Sequence, residues 1–461
     1  MLDSVASGFG TLVSLLITLG AFVLALFILV SLHELGHFMV ARLCGIKVLR
    51  FCIGFGKPFF MRKKGDTEWA IAPIPLGGYV KMVDTREGEE ISPEDLPFAF
   101  DKQHPAKRIA VVVAGPLMNL LLAVLLFTLS FSMGITTVKP VVGMLEPNTI
   151  AARAGFVEGD TITSINGQKI TDWGEAHSDF LLSGQKDINI TVVGVNGQIR
   201  TLVIDAKKEA DAIAALPDKL SIGIHPFKLT SVVGYVEKGM AADQAGIKTG
   251  DKIISTNGQP VTNWFTWKSL IENSPGAPLD LVYESQGKQY NKTVYLDSLQ
   301  QSDGRLIGKI GLGFSSDKAW FESISEKTQP GFAGACVLGW SKTVDFAAKT
   351  VSFFGKMLTG QASLKYVSGP VAIADIAGKS AMDGLQSYLS FLGLISVSLG
   401  VLNLMPIPVL DGGHLVYYII EWVRGKPLSL RVQELGFRFG LAAMLCLMLL
   451  AFFNDFTRYF G

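Results

Sequence analysis

The sequence predicts an α-helical polytopic membrane protein with four transmembrane helices, a membrane-associated β-hairpin region and two exported β-rich domains. Three observations carry this expectation. Four long runs are apolar and free of charge, in a chain of 461 residues that is 49% hydrophobic and has a positive mean hydropathy. A motif of metal-ligand type directly continues the first run. Between the second and third runs, a segment repeats itself at a fixed shift. The length exceeds that of one ordinary domain, and a net charge of +1 argues against a nucleic-acid partner.

The first run, Thr11 to Leu32, is long enough to span a bilayer and passes without a loop into His33-Glu34-Leu35-Gly36-His37, so residues 1–43 are read as one transmembrane helix. Residues four apart share a helix face. His33 and His37 can therefore aim two imidazoles at one metal, while Glu34 points toward a neighbouring coordination position. This is the H-E-x-x-H pattern of zinc hydrolases, in which zinc lowers the pKa of a bound water to about 7 and an adjacent carboxylate takes its proton. Glu34 is the candidate general base. Chance spacing on a core helix would give the same string, but a charged side chain deep in a bilayer costs at least about 2.5–3.5 kcal/mol unless paired or solvated.

Before this run the only charge is Asp3, whereas Arg42, Lys47, Arg50, Lys57, Arg62, Lys63 and Lys64 follow it. The positive-inside rule puts the N-terminus outside, and a cleavable signal peptide would instead carry its positive charge ahead of the run. Four spans then leave both termini outside, with the basic 424–438 loop in the cytosol and the long segment between spans two and three outside. Cys44, Cys52, Cys336 and Cys446 form no C-x-x-C and imply no disulfide framework.

In residues 44–108, the stretch from Lys47 to Met82 breaks its apolar residues with Gly and Pro, notably at Gly77-Gly78-Tyr79-Val80, which predicts short strands and turns. Two readings are open: a small cytosolic β-subdomain, or a hairpin dipping into the bilayer beside the metal with its backbone shielded. The acidic stretch from Asp84 to Asp101 is expected to be a mobile surface loop. The second span is placed at residues 109–138. Near its start, Ala114-Gly115-Pro116-Leu117-Met118-Asn119 offers small residues for close helix approach and an Asn expected to serve packing through an interhelical hydrogen bond.

The exported segment aligns with itself, without gaps, at a shift of 91 residues. Val141-Val142-Gly143 recurs as Val232-Val233-Gly234, Ala154-Gly155 as Ala245-Gly246, Gly159-Asp160 as Gly250-Asp251, Asn166-Gly167 as Asn257-Gly258, and Trp173 as Trp264. Residues 139–225 and 226–316 are thus two copies of one small β-rich domain with an N-G hairpin turn. The pattern A-G-(x)3-G-D-x-I-x-x-x-N-G resembles a PDZ domain of the kind attached to exported bacterial proteases. That resemblance implies capture of extended peptides or C-termini by strand addition; because the tandem is expected outside and the metal toward the cytosolic leaflet, it is read as a filter on substrate entry. Gly311-Leu312-Gly313-Phe314 looks like the carboxylate loop at the end of the second copy, and Ile222-Gly223-Ile224 is its poorer counterpart in the first.

Residues 317–384 place Lys342, Lys349, Lys356 and Lys365 at helical spacing among apolar residues. Either an amphipathic helix on the outer membrane face or a helix packed on the tandem fits. Residues 385–461 hold the third and fourth spans, Leu385 to Leu410 and Phe439 to Asn454, the latter starting near Leu435 with Arg438 snorkelling to the interface.

A two-histidine zinc site needs a third protein ligand. At the end of the third span, Asn403-Leu404-Met405-Pro406-Ile407-Pro408-Val409-Leu410-Asp411 must open its helix at the two prolines, and open backbone at membrane depth marks a cavity. His33 lies nine residues before Arg42 and Asp411 ten before Glu421, so both approach the same leaflet. Asp411 can complete the site; His414 is a competing ligand or a supporting group.

Together these residues resemble the site-2 protease family of intramembrane zinc metalloproteases, which carries H-E-x-x-H on its first core helix and N-x-x-P-x-P-x-L-D-G on its third. The resemblance implies hydrolysis of peptide bonds within transmembrane segments, with one Zn2+ per chain held by His33, His37 and Asp411 and with Glu34 as base. It implies substrate contacts at Asn403, Pro406 and Pro408, and a re-entrant β-loop at Gly77, Gly78, Tyr79 and Val80. Expected partners are the lipid bilayer of a bacterial inner membrane and single-span membrane proteins already trimmed by another protease, such as an anti-sigma factor of a stress response, or remnant signal peptides. A PDZ-bearing scaffold would need no zinc, and a metal transporter would need neither Glu34 nor peptide-binding domains.

Overall fold

The computed structural model describes residues 2–86, 91–182, 186–214, 216, 221–301, 304–360, 364 and 367–460. They form two compact units, one made of Met1–Ile135, Gln329–Gly360 and Leu364–Phe460, the other centred on Thr136–Thr328.

The first unit contains helices α1 (Leu2–Leu43), α2 (Pro105–Ser132), α3 (Phe332–Leu358), α4 (Pro370–Asp383), α5 (Leu385–Leu404), α6 (Asp411–Arg424) and α7 (Leu430–Phe460). Among the described residues, four helical stretches are long and apolar enough to cross a membrane: Leu12–Leu43, Pro105–Ser132, Leu385–Leu404 and Arg431–Thr457. Their boundaries correct the expected ones. The second helix starts at Pro105 because a proline suits the first helical turn and His104 caps it, accepting from Ala106 N. It stops at Ser132, and the β-branched Ile135–Val138 is a strand instead of the last turn of a span. The third helix ends at Leu404, ahead of Pro406. The fourth begins at Leu430, so Arg438 sits within it and pairs with Glu434 at 2.7 Å.

Small side chains bring the helices together. Ala21, Ala25 and Leu29 of α1 pack with Leu122 and Leu126 of α2, Phe391 and Leu392 of α5, and Ala377 of α4 in one buried cluster. From Phe332 on, the segment expected to be one amphipathic helix outside the membrane or on the tandem is two helices of this unit, Phe332–Leu358 and Pro370–Asp383. A Cβ on Gly339 of α3 would lie 2.6 Å from Thr128 Oγ1 of α2, and one on Gly378 of α4 would lie 2.1 Å from Thr18 Oγ1 of α1. The regular lysine spacing on α3 marks only its outer face; Lys365 lies outside the described residues.

Between α1 and α2 runs a four-stranded sheet, β1 (Val48–Phe55), β2 (Phe60–Lys64), β3 (Thr67–Ile71) and β4 (Ile74–Met82), in the order β2-β3-β1-β4. β1 and β3 are parallel, the other pairs antiparallel, and β4 is an edge. Its Gly78 lies against Val30 and Glu34 of α1. The stretch expected as a mobile loop is anchored at its far end: Ala99 and Phe100 are buried, and Phe100 N donates to Val83 O. Residues 87–90 of that stretch lie outside the described ones. The four cysteines are unpaired.

In the second unit the repeat seen in the sequence is a repeat of hydrogen bonds. Asp160 Oδ2 accepts from Val157 N and Asp251 Oδ2 from Lys248 N, both at 2.8 Å. Asn166 and Asn257 each open a hairpin turn with φ near 50°, and their side chains accept from Asn189 N and Asp280 N. Ala151 N donates to Ile222 O as Ala242 N does to Ile310 O, and Glu146 N to Gly223 O as Glu237 N to Gly311 O. Ile222-Gly223-Ile224 is therefore the backbone equivalent of Ile310-Gly311-Leu312. Each copy has its own buried core.

Candidate metal centre

Three segments that are far apart in the chain meet in the first unit. His33 and His37 stand one turn apart on α1, their rings edge to face with centroids 4.8 Å apart. Asp411 is the first residue of α6, which starts where the chain resumes a helix after Pro406 and Pro408. That start is possible because Gly412 and Gly413 follow: a Cβ on them would lie 2.1 Å from Met405 O and 2.5 Å from Ile407 O.

The donor atoms have metal-site spacing. His33 Nε2 and His37 Nε2 are 3.2 Å apart, and Asp411 Oδ2 lies 3.2 Å and 3.5 Å from them. Bonds of about 2.0–2.1 Å in a tetrahedron hold their ligands roughly 3.3 Å apart, so these three atoms outline one face of a zinc site. Asp411 Oδ2 is also buried without a hydrogen-bond donor, as a carboxylate oxygen reserved for a cation would be. Among the described residues, this is the one group of His, Cys, Asp and Glu side chains with such spacing. The residues present fit zinc.

The supports of the two histidines come from α2. Val111 O lies 2.8 Å from His37 Nδ1, which fixes the proton on Nδ1 and leaves Nε2 for the metal. Asn119 lies 3.3 Å from His33 Nδ1, while its Oδ1 is buried without a partner. Turning the amide lets Oδ1 accept from His33 Nδ1–H, which leaves His33 Nε2 free toward Asp411. Ser396 of α5 donates to Asn119 O at 2.7 Å and ties a third helix to this point.

Gly115 permits the whole arrangement. A Cβ there would lie 2.3 Å from His37 Nε2 and 2.8 Å from His33 Cε1, so α2 passes over both rings only because position 115 has no side chain. Sequence reasoning assigned Asn119 and Gly115 to packing and missed their place at the histidines. The available signal was their spacing: they stand four apart, on one face of α2, as His33 and His37 do on α1.

The Glu34 side chain makes no hydrogen bond or ion pair among the described residues, and its Cγ would lie 2.8 Å from a Cβ on Gly78. Gly78 pairs with Ile53, Tyr79 with Cys52 and Val80 with Phe51, and the other side of β4 has no strand among the described residues. Gly77 is needed under the Phe55 ring, 2.2 Å from where its Cβ would be. Asn403 lies in the last turn of α5, and its side chain makes no hydrogen bond among the described residues. His414 is not in the donor group. It stands three residues past Asp411 on α6, and its ring stacks at 27° on Tyr418.

α6 is itself pinned at its far end, where Arg108 of α2, nearly fully buried, donates to Glu421 at 2.6 Å and covers the Tyr418 ring at 4.8 Å.

The model of peptidase family M50 matches residues 21–447. A Neisseria meningitidis protein that bears a provisional zinc-metalloprotease name is 54% identical over 96% of this chain and all of its own length. The Escherichia coli regulator of sigma-E protease RseP is 39% identical over 97% of this chain and all of its own, and its Salmonella typhimurium counterpart 38% over the same shares. The chain belongs to peptidase family M50, the site-2 proteases, and is a multi-pass intramembrane zinc metalloprotease.

Proposed function

We propose that the chain cuts a peptide bond inside the membrane-spanning segment of a single-span substrate at the His33, His37 and Asp411 centre, with one zinc per chain. The spacing of the three donor atoms carries this reading. Bound zinc would supply a water acidified to a pKa of about 7 and a Lewis acid for the scissile carbonyl. Glu34, held beside the histidines and otherwise unpartnered, takes the water's proton and returns it to the leaving amine. Asn119 and Val111 O keep the two imidazoles in the tautomer that leaves Nε2 available.

A helical substrate must first be unwound. Its freed amides would cost several kcal/mol each in hydrocarbon unless the enzyme supplies partners. The edge of β4 at Gly77, Gly78, Tyr79 and Val80 offers a strand to pair with, and the free Asn403 amide beside the Pro406–Pro408 turn offers an anchor for the extended backbone.

The charge bias across α1 supports an inner-membrane orientation with the centre toward the cytosolic leaflet and the tandem and both termini in the periplasm. The two repeats are read as PDZ domains that filter substrates by the size of their exported part. Because relatives are named regulators of sigma-E proteases, an anti-sigma factor pre-cleaved by another protease is the substrate class to try first.

The test is a series of transmembrane substrates graded in helix strength. Gly or Pro near the scissile bond should speed cleavage and Leu-rich replacements slow it. Asn403→Ala and Val80→Pro should lower turnover at unchanged zinc content. Equal rates across the series, with both variants fully active, would remove the unwinding step from this account.

A further inference from the structure

The end of α1 just beyond the metal centre carries a feature the protease chemistry does not use. An open groove of about 710 Å³ lies between the last turn of α1 and the β2–β3 hairpin. Its size falls within the ~300–1,000 Å³ of small-molecule sites. Phe38, Met39, Leu43 and Trp69 form its apolar wall, and Arg42 and Lys64 bring cations from two different elements to it. The wall is rigid on the sheet side, where Trp69 packs on Phe51 and Phe38 with centroids 4.8 Å and 5.1 Å away. On the helix side it is open: Met39 is 46% and Leu43 82% exposed. Neither Arg42 nor Lys64 has a carboxylate partner among the described residues.

Position along the span decides what fits. α1 contains no Lys or Arg until Arg42, so this residue marks where the helix leaves the hydrocarbon, and Phe38 and Met39 lie one turn back inside it. The groove thus runs from an apolar trench at acyl-chain depth to two unpaired cations at headgroup depth, with a Trp at the boundary. A soluble anion would leave the apolar wall uncovered. A zwitterionic lipid would set its own ammonium against Arg42 and Lys64.

We propose that this groove binds one anionic phospholipid, its phosphodiester between Arg42 and Lys64 and an acyl chain along Phe38, Met39, Leu43 and Trp69. The ligand bridges the helix that carries the metal centre to the sheet that carries β4, since Phe38 follows His37 directly in the chain. The inference rests on α1 crossing a bilayer and not on peptide hydrolysis, so the two can fail separately.

The experiment titrates the full-length zinc-loaded protein, in neutral detergent, with dioleoylphosphatidylglycerol, dioleoylphosphatidylcholine or sodium phosphate, and counts bound molecules by native mass spectrometry. One saturable phosphatidylglycerol is expected, with neither phosphatidylcholine nor phosphate taking its place. The double variant R42Q/K64Q should bind it about 30-fold less tightly. K57Q/K63Q, which removes two nearby charges that do not line the groove, should bind it as the parent does. Should R42Q/K64Q lose zinc, and with it the evidence of an intact fold, Leu43→Glu at its exposed position takes its place and should weaken binding at least tenfold. Equal affinity of R42Q/K64Q or Leu43→Glu with the parent overturns the proposal. So does equal loss in K57Q/K63Q, which would mean a general basic surface, or displacement by phosphate, which would mean a plain anion site.

Discussion

Positions 115 and 167 each favour glycine, for opposite reasons. Gly115 has an ordinary helical backbone, and what a side chain would meet there is an imidazole 2.3 Å away on another helix. Gly167 has φ of 80° and nothing within 4 Å of where its Cβ would be, so only the backbone of its hairpin turn requires it. The membrane unit is built by close approach between segments remote in the chain, and the tandem by local turns that each copy makes for itself. A lesion in the first should therefore reach the chemistry, and a lesion in the second should stay in its own repeat.

The largest effect expected from this contrast is at the donor atoms. His33→Ala, His37→Ala and Asp411→Ala should each abolish zinc binding and cleavage together, because in the proposed site three donors from two helices would share one ion. Metal analysis of the purified variants checks this, and a variant that keeps stoichiometric zinc would remove that residue from the donor set.

Next comes Gly115→Ala. Its methyl group must displace α2 or the two rings, and a displacement near 1 Å at a reacting centre costs about 100-fold in rate. Turnover should fall by that order while the thermal melting of the tandem stays unchanged. Parent-like turnover would show that the two helices have slack at this point.

Asn119→Ala should act more gently, weakening zinc about 10–100-fold as loss of an outer hydrogen bond to a ligating histidine does. Competition with a chelator of known affinity measures it. No change would return Asn119 to the packing role that its sequence context suggests.

At the small end, Gly167→Ala or Gly258→Ala should destabilise its own repeat by about 1–2 kcal/mol, the cost of a left-handed residue with a side chain. Cleavage of an already trimmed substrate should not change. Denaturation of the full chain followed by a probe in each repeat would separate the copies, and loss of cleavage would break the division drawn between the units.

The same contrast explains what could be read from the sequence. H-E-x-x-H and L-D-G were legible because metal chemistry restricts residue type and helical spacing restricts position. The repeat was legible because Asp160 and Asp251, or Asn166 and Asn257, make hydrogen bonds within a few residues or one strand pairing of themselves. Gly115 and Asn119 were not, since their roles arise only once α2 docks on α1, and an isolated apolar run with a Gly and an Asn says packing. The buried end of the Asp84 to Asp101 stretch was hidden likewise: an acidic string looks solvated, and Phe100 is held by Tyr418, more than three hundred residues on. α3 and α4 escaped because lysines at helical spacing describe an outer face and are silent about what lies behind it.

The central claim is that Glu34 performs the proton transfer while His33, His37 and Asp411 hold the metal. Purified parent protein and Glu34→Gln are incubated with a model transmembrane peptide, with and without chelator, and the products are read by mass spectrometry beside the zinc content of each protein. The account predicts new peptide ends inside the apolar segment for the parent, none with chelator, and for Glu34→Gln one zinc per chain with cleavage reduced about 10²–10⁴-fold. Full cleavage by Glu34→Gln, or cleavage by the parent that survives removal of the metal, would contradict it.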